Sequence, residues 1–398
     1  MSRPRIIELD NTIRDYAWGS PTAIPELLGI PPTGRPAAEL WIGAHPDSPS
    51  RAVAHADQAG LDALIAADPA GLLGSRTVDR FGSRLPFLLK VLAAERALSI
   101  QVHPNREQAE AGYAAEQAAG IPRSSPDRNY RDANHKPEMA YAITEFHAFC
   151  GFRPAPRTAE LFTALDVAEL SAYRDLLVSA GGLRAVFTTL LTLHGPARDR
   201  LITRVLAGCQ RLAEAAGPWA AEARASLLAA ADFPDDIGPV LALLLNYLRL
   251  APGEAIFLGA GNVHAYLRGV CVELLANSDN VLRCGLTPKH VDVPELVRIA
   301  DFDPMPEPRH RPSRESADQV DFRLPVPDFE LSVCQAAAEL AGDRPWLVLA
   351  GEQPVTVIEP GQPGRLRLAP WHAAFVTAGA GACSAQPAGR MFLASVAP

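Results

Sequence analysis

The sequence predicts a mainly β chain with one inserted helical module. Three observations predict it. Short apolar runs broken by Gly and Pro fill the first 150 residues or so. From about Arg157 to Leu248 the composition turns to Ala, Leu, Glu and Arg, with apolar residues three and four apart. At Ala251-Pro252-Gly253 the short apolar runs return and continue into the C-terminal tail. The expected boundaries are 1–152 together with 251–318 for one β domain, 153–250 for the helical insert and 319–398 for a second β domain.

Each element follows from its local pattern. Leu61-Asp62-Ala63-Leu64-Ile65 reads as a short amphipathic helix, and Phe87 to Ala94 and Leu98 to Val102 as successive buried strands. Asn105 to Ala119, polar with many alanines, predicts a helix. Lys136 to Tyr141 and Ala148 to Phe152 read as further strands. Within the insert, Leu170, Tyr173, Leu176 and Leu177, then Leu201, Val205, Leu206 and Leu212, trace helical faces. Breaks fall at Gly181-Gly182, Gly195-Pro196, Gly217-Pro218 and Phe233-Pro234. Ala255 to Leu258 is a strand, and Ala265 to Leu275 predicts two strands around a turn at Gly269. After a Pro-rich linker, Pro304 to Pro312, the tail offers Phe329 to Val333, Trp346 to Leu349 and Ala373 to Thr377 as strands of a sandwich or barrel.

Bulk properties exclude several functions. The chain has 398 residues, 48% apolar and 21% charged, with a net charge of -8. That balance, without a basic run, argues against nucleic acid or an anionic membrane as partner. The segment Met1 to Glu8 lacks the apolar core of a signal peptide. The apolar stretch Val240–Leu250 is short and interrupted by Asn246 and Arg249, so no membrane span is expected. Six scattered cysteines form no CxxC pair, which speaks against a thiolate zinc site or a disulfide framework. A reducing cytoplasm is the expected compartment.

Chemistry concentrates in four segments. Gln101 and His103 are two apart, so a strand turns both to one face. His135-Lys136-Pro137-Glu138 enters a buried strand, where charge is costly unless paired or coordinated. His264 follows Gly253-x5-Gly259-x-Gly261, a spacing that resembles the second cupin motif. Together Gln101, His103, Glu138 and His264 would make a mixed N/O site for a divalent metal, with room for a catalytic open position. The fourth segment, Glu273 to Lys289, carries Glu273 in an apolar strand and the cations Arg283 and Lys289, which suit a phosphate or carboxylate. Blander readings stand beside these: a hydrogen-bonded core pair for Gln101 and His103, a solvated ion pair for Lys136 and Glu138, a turn at Asp279, and Arg283 pairing with Glu273.

Taken in order, Ser99-Ile100-Gln101-Val102-His103-Pro104-Asn105, His135-Lys136-Pro137-Glu138, Asn262-Val263-His264-Ala265-Tyr266 and Asn277 through Lys289 resemble the signature segments of the type I mannose-6-phosphate (phosphomannose) isomerases. Trp18-Gly19, Ala38 through Pro46 and Cys150-Gly151-Phe152-Arg153-Pro154 are similar to other segments of that family. The resemblance implies cupin-type double-stranded β-helix (jelly-roll) domains and one Zn2+ per chain, held by Gln101, His103, Glu138 and His264. It implies interconversion of D-mannose 6-phosphate and D-fructose 6-phosphate, supplying GDP-mannose synthesis and glycan assembly. It places Arg283 in the active site, Ser99 and Lys289 at the phosphate, and Lys136, Tyr266 and Glu273 near the sugar. Cys284 stands where a small residue such as Ala is usual. Its partner is a small sugar phosphate, and a monomer is expected.

Aldose–ketose exchange needs ring opening, proton transfer between C2 and C1, and stabilised enediolate charge. With two His, one Glu and a neutral Gln the metal site would keep a formal charge of +1, and Arg283 adds a fixed cation. Lys136 is the first candidate base, Glu273 the second, and His135 or Tyr266 would help open the ring. Two other classes stay open: an Fe(II) oxygenase and a non-catalytic sugar-phosphate binder.

Overall fold

A computed structural model describes residues 5–53, 58–361, 364–379 and 381–398, so Met1 to Pro4 of the N-terminal segment lie outside the described residues. Its strands form three antiparallel sheets of ten, eight and four strands, with helices gathered largely between Ala155 and Ala242. No helix among the described residues is long and apolar enough to cross a membrane.

The ten-stranded sheet positions the site. Phe87–Ala94 is buried along all eight residues because both faces are covered, which explains its near-continuous apolar run. It lies between Glu39–Gly43 and the 13-residue strand His264–Ala276. That long strand serves two limbs. His264 to Arg268 pairs with Phe146–Phe152, and His264 also faces Gln101. Gly269 to Ala276 pairs with Phe87–Ala94, and its far part also with Glu138–Ala142.

The expected turn at Gly269 is instead a bend within one strand. Its φ of +111° is closed to ordinary side chains, and a Cβ there would sit 2.4 Å from the Glu145 carbonyl oxygen. Glycine lets the strand pass from one limb to the other without reversing. Gly269→Ala is therefore expected to destabilise the fold by roughly 2–4 kcal/mol, read as a lower midpoint in urea unfolding.

The insert is helical as composition predicts, from Ala155–Leu165 to Gly238–Ala242. Its last stretch departs from expectation. Leu245–Leu250 is a strand, paired with Phe146–Phe152 in the register Phe149 to Tyr247. Leu245 and Leu248, three apart, read as a helical face locally. The open hydrogen-bonding edge of Phe146–Phe152 wins, since backbone donors and acceptors there need partners.

In the tail, Glu330–Cys334, Trp346–Ala350 and Ala373–Val376 are strands of the eight-stranded sheet. The N-terminal strand Ile6–Asp10 also belongs to it, antiparallel to Ala373–Val376. One face of this sheet packs on the four-stranded sheet through Val348, Leu393, Val357 and Ala385. The other shares a core with the ten-stranded sheet, where Tyr141 meets Phe392 edge-on at 5.7 Å. All six cysteines are buried and unpaired.

Candidate metal centre and anion site

The four expected metal ligands meet where three strands begin or end, with His103 lying one residue beyond the strand Ile100–Val102 rather than on it as expected. Gln101, on Ile100–Val102, lies directly across from His264, and Glu138 opens the neighbouring strand Glu138–Ala142. One ligand atom from each of His103, Glu138 and His264 lies within 4.8 Å of the other two. Nε2 of His103 is 3.4 Å from Glu138 Oε1, and Nε2 of His264 is 3.3 Å from Glu138 Oε2. All three residues are buried.

Both imidazoles are held for ligation. His103 Nδ1 is 2.7 Å from the Asn280 carbonyl and His264 Nδ1 is 3.0 Å from the Asn262 carbonyl. A carbonyl only accepts, so each Nδ1 carries the proton and donates it, and each Nε2 presents a bare lone pair inward. The Gln101 amide reaches His264 Nε2 at 3.3 Å, and half a turn of the amide exchanges its N–H for its oxygen. Among the described residues His103 Nε2 and Glu138 Oε2 are buried with no hydrogen-bond partner. Orphaned lone pairs on buried side chains are costly unless a cation meets them, so this donor set fits a divalent metal. Burial pushes the His103 pKa down to about 4, so it stays neutral near pH 7. Burial alone would raise Glu138, but Lys136 outweighs it and holds its carboxyl well below the usual range.

The proton-transfer candidates surround this centre. Lys136 Nζ is 2.9 Å from Glu138 Oε1. Glu273 does not pair with Arg283. Its Oε2 is 3.3 Å from Lys90 Nζ, which also lies 3.5 Å from Glu39 Oε2 and 5.1 Å from the Trp41 ring centroid. Three buried carboxylates, Glu39, Glu138 and Glu273, thus crowd two lysines. Burial raises Glu273 first, Lys90 opposes it, and the nearby Glu138 and Glu39 add to the rise, leaving a pKa of about 7. Burial opposes the Lys90 charge, yet Glu39 and Glu273 raise it above its ordinary value. Tyr266 is buried against Phe146 and His264, and burial pushes its phenol well up. His135 Nε2 is 2.9 Å from Asp328, a buried carboxylate contributed from the start of the tail.

A cationic patch lies beside the metal centre. Arg283 is directly opposite Gln101 in the sheet. Burial and Arg131 lower the Arg283 pKa; burial, Arg283 and Arg131 lower that of Lys289. Among the described residues none of Arg131, Arg283 and Lys289 has a carboxylate ion-pair partner. Ser99, half-buried, precedes the strand that pairs with Arg283. Arg131 is held by a strap: its N–H donates to Asn280 Oδ1 at 2.7 Å, while Asn129 Nδ2 donates to Asp292 and Ser278 Oγ to Asp132. Unpaired cations brought together in this way suit a multiply charged anion.

Asp279 does more than turn the chain. His45 Nδ1 accepts the Asp47 N–H, so Nε2 carries the proton and faces Asp279 Oδ1 at 3.3 Å. Burial would raise Asp279, but His45, Lys136 and Arg123 together bring it down to about 2. This pair lines a cavity of about 250 Å3 with Arg84, Arg123, Asn134 and Ser278.

Sequence reasoning passed over Lys90, Glu39, Arg131 and Asp328. Lys90 did leave a signal, being the sole charge in the apolar run Phe87 to Ala94. Asp328 left none, because only the packing of the tail brings it 193 positions back to His135.

Comparison with known proteins bears on this arrangement. The pattern of phosphomannose isomerase type I, catalytic domain, matches residues 6–155. The mannose-6-phosphate isomerase of Salmonella typhimurium is 40% identical over 391 residues, covering 96% of this chain and 98% of that protein. The Homo sapiens mannose-6-phosphate isomerase is 34% identical, covering 83% and 82%. A solved point mutant of the S. typhimurium phosphomannose isomerase superposes with a TM-score of 0.90 at 38% identity, covering 99% of this chain and all of that one. A zinc-bound mannose 6-phosphate isomerase superposes with a TM-score of 0.89 at 38% identity, with 99% and 100% covered.

Proposed function

Because the chain belongs to the type I phosphomannose isomerase family, we infer that it is a zinc-dependent aldose–ketose isomerase interconverting D-mannose 6-phosphate and D-fructose 6-phosphate. One observation carries the reading beyond family membership: the orphaned His103 Nε2 and Glu138 Oε2 open beside cations that lack carboxylate partners. A metal and a phosphate would satisfy both sets at once. The two limbs of sheet around the ligands are read as the cupin-type double-stranded β-helix. Six unpaired, buried cysteines suit a reducing, cytoplasmic setting. There a monomer of this enzyme would supply mannose units for GDP-mannose synthesis.

Gln101, His103, Glu138 and His264 would hold the zinc, and when bound it supplies a Lewis acid at the sugar's O1/O2 edge. The chain's own groups do the rest. Lys289, Ser99 and Arg131 bind the phosphate, far from the reacting carbons, so that its binding energy fixes the sugar in place. Arg283 faces the developing oxyanion as a fixed cation. Lys136, in its uncharged form, takes the C2 proton and returns it at C1, with Glu273 as the second candidate. His135, oriented by Asp328, and Tyr266 assist ring opening by exchanging protons with the ring oxygen and O1.

A coupled assay on mannose 6-phosphate, run before and after chelation with metal analysis of the same sample, tests this. Turnover is expected with about one zinc per chain, lost on chelation and restored by zinc. Full turnover in metal-free protein would overturn the assignment.

A further inference from the structure

We propose that Asp236, in the helical insert, is a positioning residue for the phosphate-binding segment that ends at Lys289, so that the insert sets affinity for the phosphoryl group. The proposal rests on the phosphate reading of Arg283 and Lys289 given above.

The contact is specific. Asp236 Oδ1 accepts the Leu286 N–H at 2.8 Å and the Gly238 N–H at 2.6 Å, and Oδ2 accepts the Thr287 N–H at 3.4 Å. Thr287 Oγ1 in turn accepts the Lys289 N–H at 3.1 Å. One carboxylate therefore leads through two hydrogen-bonded steps to the residue placed at the phosphate. Leu286 is buried with a φ of +54°, a conformation that a leucine does not hold without help from its surroundings. The Asp236 carboxylate provides that help by fixing the amides on both sides of the Leu286 α-carbon.

The backbones are also in direct contact. A Cβ on Gly238 would fall 2.6 Å from the Leu286 nitrogen, and one on Gly285 would fall 2.9 Å from the Gly238 α-carbon. The insert can approach this closely because both positions are glycine. Gly285 pairs with Ile100 and Arg283 with Gln101, so the same short strand is tied to the metal side as well.

A second aspartate, the last residue of the preceding helix Ala220–Asp232, grips the other approach to the site. Asp232 accepts the Ala97 N–H at 2.7 Å, two residues before Ser99, and pairs with Arg96 at 3.2 Å and Arg268 at 2.9 Å. The end of the helix Ala220–Asp232 and the connection that follows it to Gly238–Ala242 thus hold both segments placed at the phosphate. A purely packing role for the insert would not require a carboxylate aimed at the amides of a strained turn.

The test uses zinc-loaded, full-length Asp236→Ala, Asp236→Asn and Lys289→Met. For each, KM and kcat with mannose 6-phosphate, the inhibition constant of inorganic phosphate, zinc content and Tm are measured. Asp236→Ala is expected to raise both KM and the phosphate inhibition constant by about tenfold, with kcat within about threefold and zinc retained. Asp236→Asn, whose amide oxygen can still accept the Leu286 N–H, is expected to restore most of that loss. If Lys289→Met weakens phosphate inhibition while Asp236→Ala changes Tm alone, the positioning role is overturned. If Lys289→Met leaves phosphate inhibition unchanged, the phosphate reading fails and the proposal with it. Should Asp236→Ala not fold, Asp236→Glu replaces it, and unchanged phosphate inhibition there overturns the proposal equally.

Discussion

Glu138→Gln is expected to lose zinc on dialysis and to lower turnover by on the order of 10^3-fold or more. The carboxylate is the one anionic member of the donor set, and it lies within 3.4 Å of both imidazole Nε2 atoms and 2.9 Å from Lys136. An amide keeps the shape and discards the charge. The remaining donors are then neutral, and Lys136 becomes a buried cation without its partner, which costs roughly 3–5 kcal/mol in comparable buried pairs. Metal loss and misfolding must therefore be separated. Zinc content is read by elemental analysis, and Tm is compared in the presence of chelator, where the wild type has also lost its metal. A variant that keeps one zinc per chain and more than a tenth of wild-type turnover would refute the ligand assignment. The wild type adds a pH arm. Protons compete with metal for His103 Nε2, and burial has pushed that group from its ordinary value near 6.5 to about 4. Burial therefore keeps His103 an available, neutral ligand as pH falls through 6, and bound zinc defers its protonation further, so zinc content is expected to hold through pH 6. Zinc lost between pH 6 and 7 would contradict that expectation.

How far the sequence discloses this site depends on what kind of physics places each residue. Gln101 is legible because a strand alternates its faces, His103 because it follows two positions on, just past the end of that strand at Val102, and His264 because a glycine-punctuated turn precedes it. Glu138 is legible because a carboxylate entering an apolar strand demands a partner. Local pattern fails where a long-range contact decides. Leu245–Leu250 carries a helix-compatible spacing and becomes a strand because an open sheet edge lies beside it. Gly269 looks like a turn and is a bend, since a positive φ serves either purpose and only the crowding by Glu145 separates them. Ile6–Asp10 joins the sheet of the tail, some 365 positions away, through backbone pairing that no side-chain pattern specifies. Lys90 is the instructive miss. A lysine in an apolar run reads as one polar interruption, until Glu39 and Glu273 are seen to meet it from the strands on either side.

Lys136→Met is expected to lower kcat by roughly 10^2–10^4-fold while zinc stays bound, and to abolish exchange of the C2 hydrogen with solvent. The residue is buried beside Glu138, where its removal takes away a charge but no metal ligand. Glu273 is the rival base, and its environment makes the two separable. Its carboxyl is raised to about 7 by burial, with Lys90 pulling down and Glu138 and Glu39 pushing up. Were Glu273 the base, activity would climb with pH through a limb near 7 and that limb would vanish in Glu273→Gln, while Lys136→Met kept solvent exchange. Stability supplies a control that is independent of catalysis. A carboxyl raised from about 4.5 in the unfolded chain to about 7 in the folded one favours the fold fully below pH 4.5. That contribution is lost progressively as pH rises from 4.5 to 7 and is gone above it, because over that window the unfolded chain has released a proton that the folded state still holds. Glu273→Gln should therefore flatten the decline in unfolding free energy between pH 4.5 and 7 whichever residue moves the proton. A flattened stability profile together with retained solvent exchange assigns Glu273 to charge balance around Lys90 and leaves the proton transfer to Lys136. Lost exchange in Glu273→Gln, with Lys136→Met still exchanging, reverses the two roles.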